Sequence, residues 1–73
     1  MPYIEKRIGE NLRRLRVEKA LTQEQVAAKL QVCGCDVTRS ALAKIEVGQR
    51  HVYVDELKAL REIFDVSYEE LFV

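Results

Sequence analysis

A chain of 73 residues buries only ~60% of the surface it exposes when unfolded, enough for one small core spanning residues 1–73 and too little for a deep catalytic cleft. Its balance of apolar and charged residues is that of a folded domain. No apolar run approaches the ~20 residues of a membrane span, and the opening MPYIEKRIGEN lacks the basic-then-apolar order of a signal peptide, so the expected compartment is cytoplasmic. The net charge is zero, which alone argues against nucleic acid. Residues 1–50, however, hold ten Lys and Arg against six Asp and Glu, and residues 51–73 hold two against six, so the basic part can meet phosphates while the acidic end faces away.

Ile4, Ile8, Leu12 and Leu15 recur at spacings of four, four and three, one face of a first helix over about residues 3–19, with Lys6, Arg13, Arg14 and Lys19 on the opposite face. Thr22 opens a second helix: with Gln25 three positions on it fits a capping box, and Leu21 just before it can staple onto Val26. Val26, Ala27 and Leu30 form the buried stripe. Gln31, Val32 and Cys33 contain no helix breaker, so this helix is expected to run to about Val32, with Gly34 in the left-handed conformation that ends it.

Thr38 caps a third helix with Ala41, Leu42 and Ile45 on one face and Gly48 as its stop. Residues 49–53 read as extended, since Val52 and Tyr53 favour strand-like backbone. A fourth helix covers about 54–64 with Leu57, Leu60, Ile63 and Phe64 inward. Ser67 with Glu70 makes a second capping box for a short last helix carrying Leu71 and Phe72. The expectation is an all-α fold of five helices and no sheet, packed around Ile8, Leu12, Leu15, Val26, Ala27, Leu30, Leu42, Ile45, Leu57, Leu60 and Leu71.

The second and third helices, TQEQVAAKLQVCGCDVTRSALAKIEVGQR, form a pair joined by a glycine-containing turn, and few packings of such a pair leave one amino end free to enter a DNA major groove. Arg39 and Ser40 are the first residues past the Thr38 cap and Lys44 lies one turn beyond Ser40, so the three can face the groove together. Arg or Lys on guanine O6 and N7 is the commonest specific base contact, and Ala43 between them suits a thymine methyl. By pattern alone the stronger reading is that these are ordinary solvated positions of an amphipathic helix. Gln23 opens the second helix, where free N–H groups reach a phosphate; a solvated first-turn residue fits the same position.

Other chemistries have little to build on. Cys33 and Cys35 are too few for a disulfide framework, and zinc would want four ligands where only His51 could be a third soft one, so no metal and no cofactor is expected. One His, two Ser and no phosphate-binding glycine loop argue against an enzyme.

The order TQEQVAAKL, SALAKIEVGQR, DELKALREIFDVSYEELF resembles the lambda-repressor-like helix-turn-helix domain, the Cro/cI-type (XRE) family of transcriptional regulators, from Ile8 to Phe72. The resemblance implies a compact five-helix DNA-binding domain: a sequence-specific regulator, expected to be a repressor, that reads double-stranded DNA through its third helix. It implies base contacts from Arg39, Ser40, Ala43 and Lys44, and phosphate contacts from Gln23, Thr38, Gln49, Arg50 and His51. It also implies a structural pair, Arg16 with Glu46, bridging the first and third helices. A homodimer is expected at least on DNA. Tyr68, Phe72 and Val73, with Tyr3, offer the apolar surface for it; no membrane or small-molecule partner is expected.

One feature departs from the family. Leu30 and Val37 are separated by a single residue in relatives and here by six, Gln31 to Asp36, which leaves the presentation of Arg39 open and could offer an extra surface to DNA or a partner chain. The competing reading, from another class, is a helical protein-interaction module such as the antitoxin half of a toxin–antitoxin pair. A salt-titrated DNA-binding assay separates the two.

Overall fold

A computed structural model describes residues 2–73, with side chains from residue 4 onward. The chain runs through α1 (Pro2–Glu18), α2 (Gln23–Val32), α3 (Arg39–Glu46), α4 (Val54–Phe64) and α5 (Tyr68–Leu71), with no strand among the described residues. From α2 onward each helix begins where a side chain satisfies the orphan groups of a first turn. Thr22 Oγ1 accepts the Gln25 N–H while the Gln25 amide oxygen accepts the Thr22 N–H, closing the capping box. Thr38 Oγ1 accepts the Ala41 N–H, and Glu56 and Glu70 reach back to the N–H groups of Tyr53 and Ser67.

The six residues between Leu30 and Val37 lengthen α2 and close it. Its end is a Schellman turn: the Cys35 N–H donates to the Leu30 carbonyl and the Gly34 N–H to that of Gln31, with Gly34 at φ +88°. The motif brings Cys35 inward to the core that holds Leu30, while Cys33 stays exposed. A six-residue connection, 33–38, then leads into α3.

α1 packs on α3, α4 and α5, and α2 on α3 and α4. Leu12, Leu15, Val26, Leu30, Val37, Leu42, Ile45, Leu60, Phe64 and Leu71 are fully buried where these helices meet. Four expected inward positions differ. Ile4 is half-exposed at the edge of the body beside Phe72, and Ala41, Leu57 and Ile63 are only partly buried against the core; Cys35, Val37 and Ala59 are the additional core members.

Two contacts at α1 set the placement of its neighbours. Gly9 lies so close to the last turn of α3 that a Cβ there would stand 2.3 Å from the Ile45 carbonyl oxygen and 2.8 Å from that of Glu46. Buried Asn11 donates through Nδ2 to the backbone oxygens of Leu71 (2.9 Å) and Val73 (3.0 Å), fastening the residues after α4 to α1. No helix among the described residues is long and apolar enough to cross a membrane.

Candidate nucleic-acid interface

An α-helix turns about 100° per residue, and on α3 this sets Leu42 and Ile45 apart from the exposed residues, with buried Glu46 on the border of the open face near the strip of Arg39. Leu42, Ile45 and Glu46 point into the body; Arg39, Ser40 and Lys44 are exposed, and Ala43 between them is half-buried. Neither Arg39 nor Lys44 has an ion pair or hydrogen-bond partner among the described residues. A helix with its side chains is about 10–12 Å across, close to the width of the B-DNA major groove. The face is polar, unsatisfied and of the right size to enter it.

The last turn of α3 is locked to the body. Glu46, 4% exposed, accepts Arg16 Nε at 2.7 Å and Nη2 at 3.1 Å in a two-pronged pair, and Gln23 Nε2 at 3.0 Å. Arg16 Nη1 also donates to the Leu21 carbonyl at 3.0 Å. One carboxylate in the last turn of α3 is therefore held from α1 and from the first residue of α2 at once, and its polar capacity is well used. Together with the close approach at Gly9, this fixes both the rotation of α3 and its distance from α1. Gln23 consequently spends one Nε2 N–H on Glu46 and keeps the other, together with its backbone N–H at the first position of α2, for an outside acceptor.

Beside that start lies an open cleft of about 540 Å³ lined by Arg13 and Arg16 of α1, by Leu21, Thr22, Gln23 and Glu24, and by Arg39. The unpaired N–H groups of the first turn of α2 favour an anion there, and Arg13 and Arg39 line it without partners among the described residues, against Glu24 as the one acidic residue of the lining. Arg13 is a functional candidate that the sequence leaves on the solvated face of the first helix. Only the fold, which sets this part of α1 beside the start of α2, brings it to this cleft. Arg39 borders both the cleft and the open face of α3.

The loop after α3 differs from the set of open phosphate ligands expected of it. Arg50 forks onto Glu56 at 3.0 and 3.1 Å, donates to the His51 carbonyl at 2.9 Å and lies over the Tyr53 ring. That leaves Nε and one Nη2 N–H for an outside acceptor. The hydrogen bonds to Glu56 push the Arg50 pKa up. Burial pushes the Glu56 carboxyl up in turn, but Arg50 and the Tyr53 N–H outweigh it and hold the group below its ordinary value. The exposed His51 ring meets Glu5 through Nδ1 at 2.5 Å. Gln49 is exposed. Thr38 spends its oxygen on the α3 cap and keeps its O–H to donate.

At the carboxyl end of the chain Tyr68, Phe72 and Val73 are 45%, 52% and 58% exposed, and Phe72 lines a groove with Ile4, Arg7 and Ile8. The Tyr3 side chain, expected beside them, lies outside the described residues. Of the two thiols, burial pushes that of Cys35 up, helped by Asp55, Glu56 and Cys33. Among the described residues no group of three His, Cys, Asp or Glu is placed to hold a metal ion.

Comparison with known proteins places this geometry. A model of the helix-turn-helix family matches residues 12–71. The chain is 39% identical over 63 residues to the HTH-type transcriptional activator BcrR of Enterococcus faecalis; the match covers 86% of this chain but spans only 28% of that relative's length. It is 38% identical over 66 residues to the uncharacterized HTH-type transcriptional regulator y4dJ of Sinorhizobium fredii, covering 90% of this chain and 79% of the relative. Among solved structures, the restriction-modification controller protein C.AhdI from Aeromonas hydrophila aligns with a TM-score of 0.82 at 32% identity, over 97% of this chain and 96% of that one.

Proposed function

The chain belongs to the helix-turn-helix family of DNA-binding transcriptional regulators, and on that premise we propose that it reads a two-fold operator as a homodimer with α3 in the major groove. One observation carries the reading: the open face of α3 presents Arg39, Ser40 and Lys44 without partners among the described residues, on a helix whose last turn is clamped through Glu46. Arg39 and Lys44 are assigned to guanine edges, Ser40 to either partner of a base pair, and Ala43 to a thymine methyl. The phosphate set is Arg13, the backbone N–H groups at Gln23, the Thr38 hydroxyl, Gln49, His51 and the remaining N–H groups of Arg50, which position the protein without reading sequence.

Tyr68, Phe72 and Val73, with Ile4, are the surface assigned to the second copy, whose two-fold axis sets the spacing of the half-sites. The regulator acts in the cytoplasm by binding alone, and its output is repression by occupancy of the promoter. Selection of bound sites from a random duplex pool, followed by anisotropy titrations over a range of salt, tests the reading. A consensus of two half-sites one helical turn or a multiple apart supports it. DNA binding no stronger than background at low salt overturns it in favour of the protein-interaction module, and a reporter that rises with the protein reverses the assigned sign.

A further inference from the structure

Val47 is the residue that caps the carboxyl end of α3, at φ −101° and ψ 6°, and its side chain is 59% exposed. It belongs to no part of the core. At about 100° per residue, Ser40, Ala43 and Val47 fall within about 60° of one another along the middle of the open face, with Arg39 on one flank and Lys44 on the other. The centre of the face is therefore small or apolar and its margins are cationic. Val47 also follows Glu46 directly, so the clamp from Arg16 and Gln23 that holds the carboxylate fixes the backbone on which Val47 stands.

A branched apolar side chain in the middle of a groove-facing surface discriminates among bases in a definite way. Thymine offers its C5-methyl group in the major groove, whereas cytosine offers an N4 donor that an apolar neighbour would leave without an acceptor. We propose that Val47, together with Ala43, is a specificity-determining residue that reads the 5-methyl group of a thymine in each half-site. This rests on the operator reading given above and adds to it a residue and a base atom. The flanking cations hold the helix in the groove, and the apolar stripe selects thymine opposite its middle.

Deoxyuridine in place of thymine deletes only the methyl group and leaves pairing intact. Each thymine of the selected operator is replaced singly, and binding is measured by anisotropy for the wild type and for Val47→Ala, whose folding is checked by its melting temperature. At one position per half-site the wild type should lose about fourfold in affinity, the worth of one buried methyl group. Val47→Ala should narrow the difference between thymine and deoxyuridine at that position to what Ala43 alone reads, while keeping the wild-type response elsewhere. A consensus whose thymines all tolerate deoxyuridine overturns this inference alone, as does a methyl effect that persists undiminished in Val47→Ala. A pool that yields no consensus overturns the operator reading itself, and this inference with it.

Discussion

Glu46→Ala removes the acceptor of three hydrogen bonds, two from Arg16 and one from Gln23. The Glu46 side chain is 2% exposed and that of Arg16 13%, so the guanidinium left behind keeps the Leu21 carbonyl and little water. Breaking a buried ion pair from one side costs ~3–5 kcal/mol, against ~0–1 kcal/mol for an exposed pair. The small residual exposure of Arg16 puts this case near the lower end, about 3 kcal/mol. A chain of this length has about 4–11 kcal/mol of stability in all, so the substitution removes a large share of it. With a urea m-value of about 1 kcal/mol/M, the unfolding midpoint should fall by about 3 M. Replacing both partners by apolar residues, Arg16→Met with Glu46→Leu, should recover most of the loss, because neither charge is then left buried alone. A single-variant loss below about 1 kcal/mol would make the pair equivalent to a surface ion pair. That result, or a double variant as unstable as the single one, would refute the view that this clamp orients α3.

Gly9→Ala drives a methyl group into the Ile45 and Glu46 carbonyls, and should cost about 3 kcal/mol or a melting-temperature loss of roughly 12–24 °C; an unchanged melt would mean that α1 and α3 are not in close contact there. Glu56 has a carboxyl pKa held below its ordinary value, so its contribution is present above the unfolded value of ~4.3 and is lost as pH falls through the lower folded one. Stability should accordingly decline on acidification below about pH 4, and urea titrations of Glu56→Gln should show a shallower acid limb; an identical limb would assign the loss to other carboxylates. On DNA, Arg13→Ala should reduce the slope of log K against log salt by about 1, whereas Arg50→Ala, its charge already compensated by Glu56, should reduce it by less and lower stability as well. Equal slopes for Arg13→Ala and the wild type would remove the cleft from the phosphate set.

The local signals in the sequence are those that depend on neighbours along the chain. Thr22 with Gln25, Thr38, and Ser67 with Glu70 mark helix starts because each cap is closed within three residues. Gly34 marks the lengthened end of α2 for the same reason. Periodicity finds the inward stripes but runs one turn too far at Ile4, where no helix arrives to cover it. What stayed hidden depends on distant partners. Gly9 has no mark in the sequence, since its need for a missing Cβ comes from carbonyls 36 and 37 residues away. Arg50 and His51 read as open phosphate contacts until Glu56 and Glu5 are placed beside them. Arg13 reads as a solvated residue until the start of α2 is laid against it, and Val47 carries no signal in the sequence until the open face of α3 is seen whole.

The central claim is that the open face of α3 reads base sequence while the loop after it does not. Parallel selections from one random duplex pool, carried out with wild type, Arg39→Ala and Arg50→Ala at equal salt, test it most directly. The wild type should return two symmetric half-sites, Arg39→Ala should relax one defined position in each at a loss of ~1–3 kcal/mol, and Arg50→Ala should return the wild-type consensus at lower affinity. A consensus unchanged by Arg39→Ala but altered by Arg50→Ala would contradict the account.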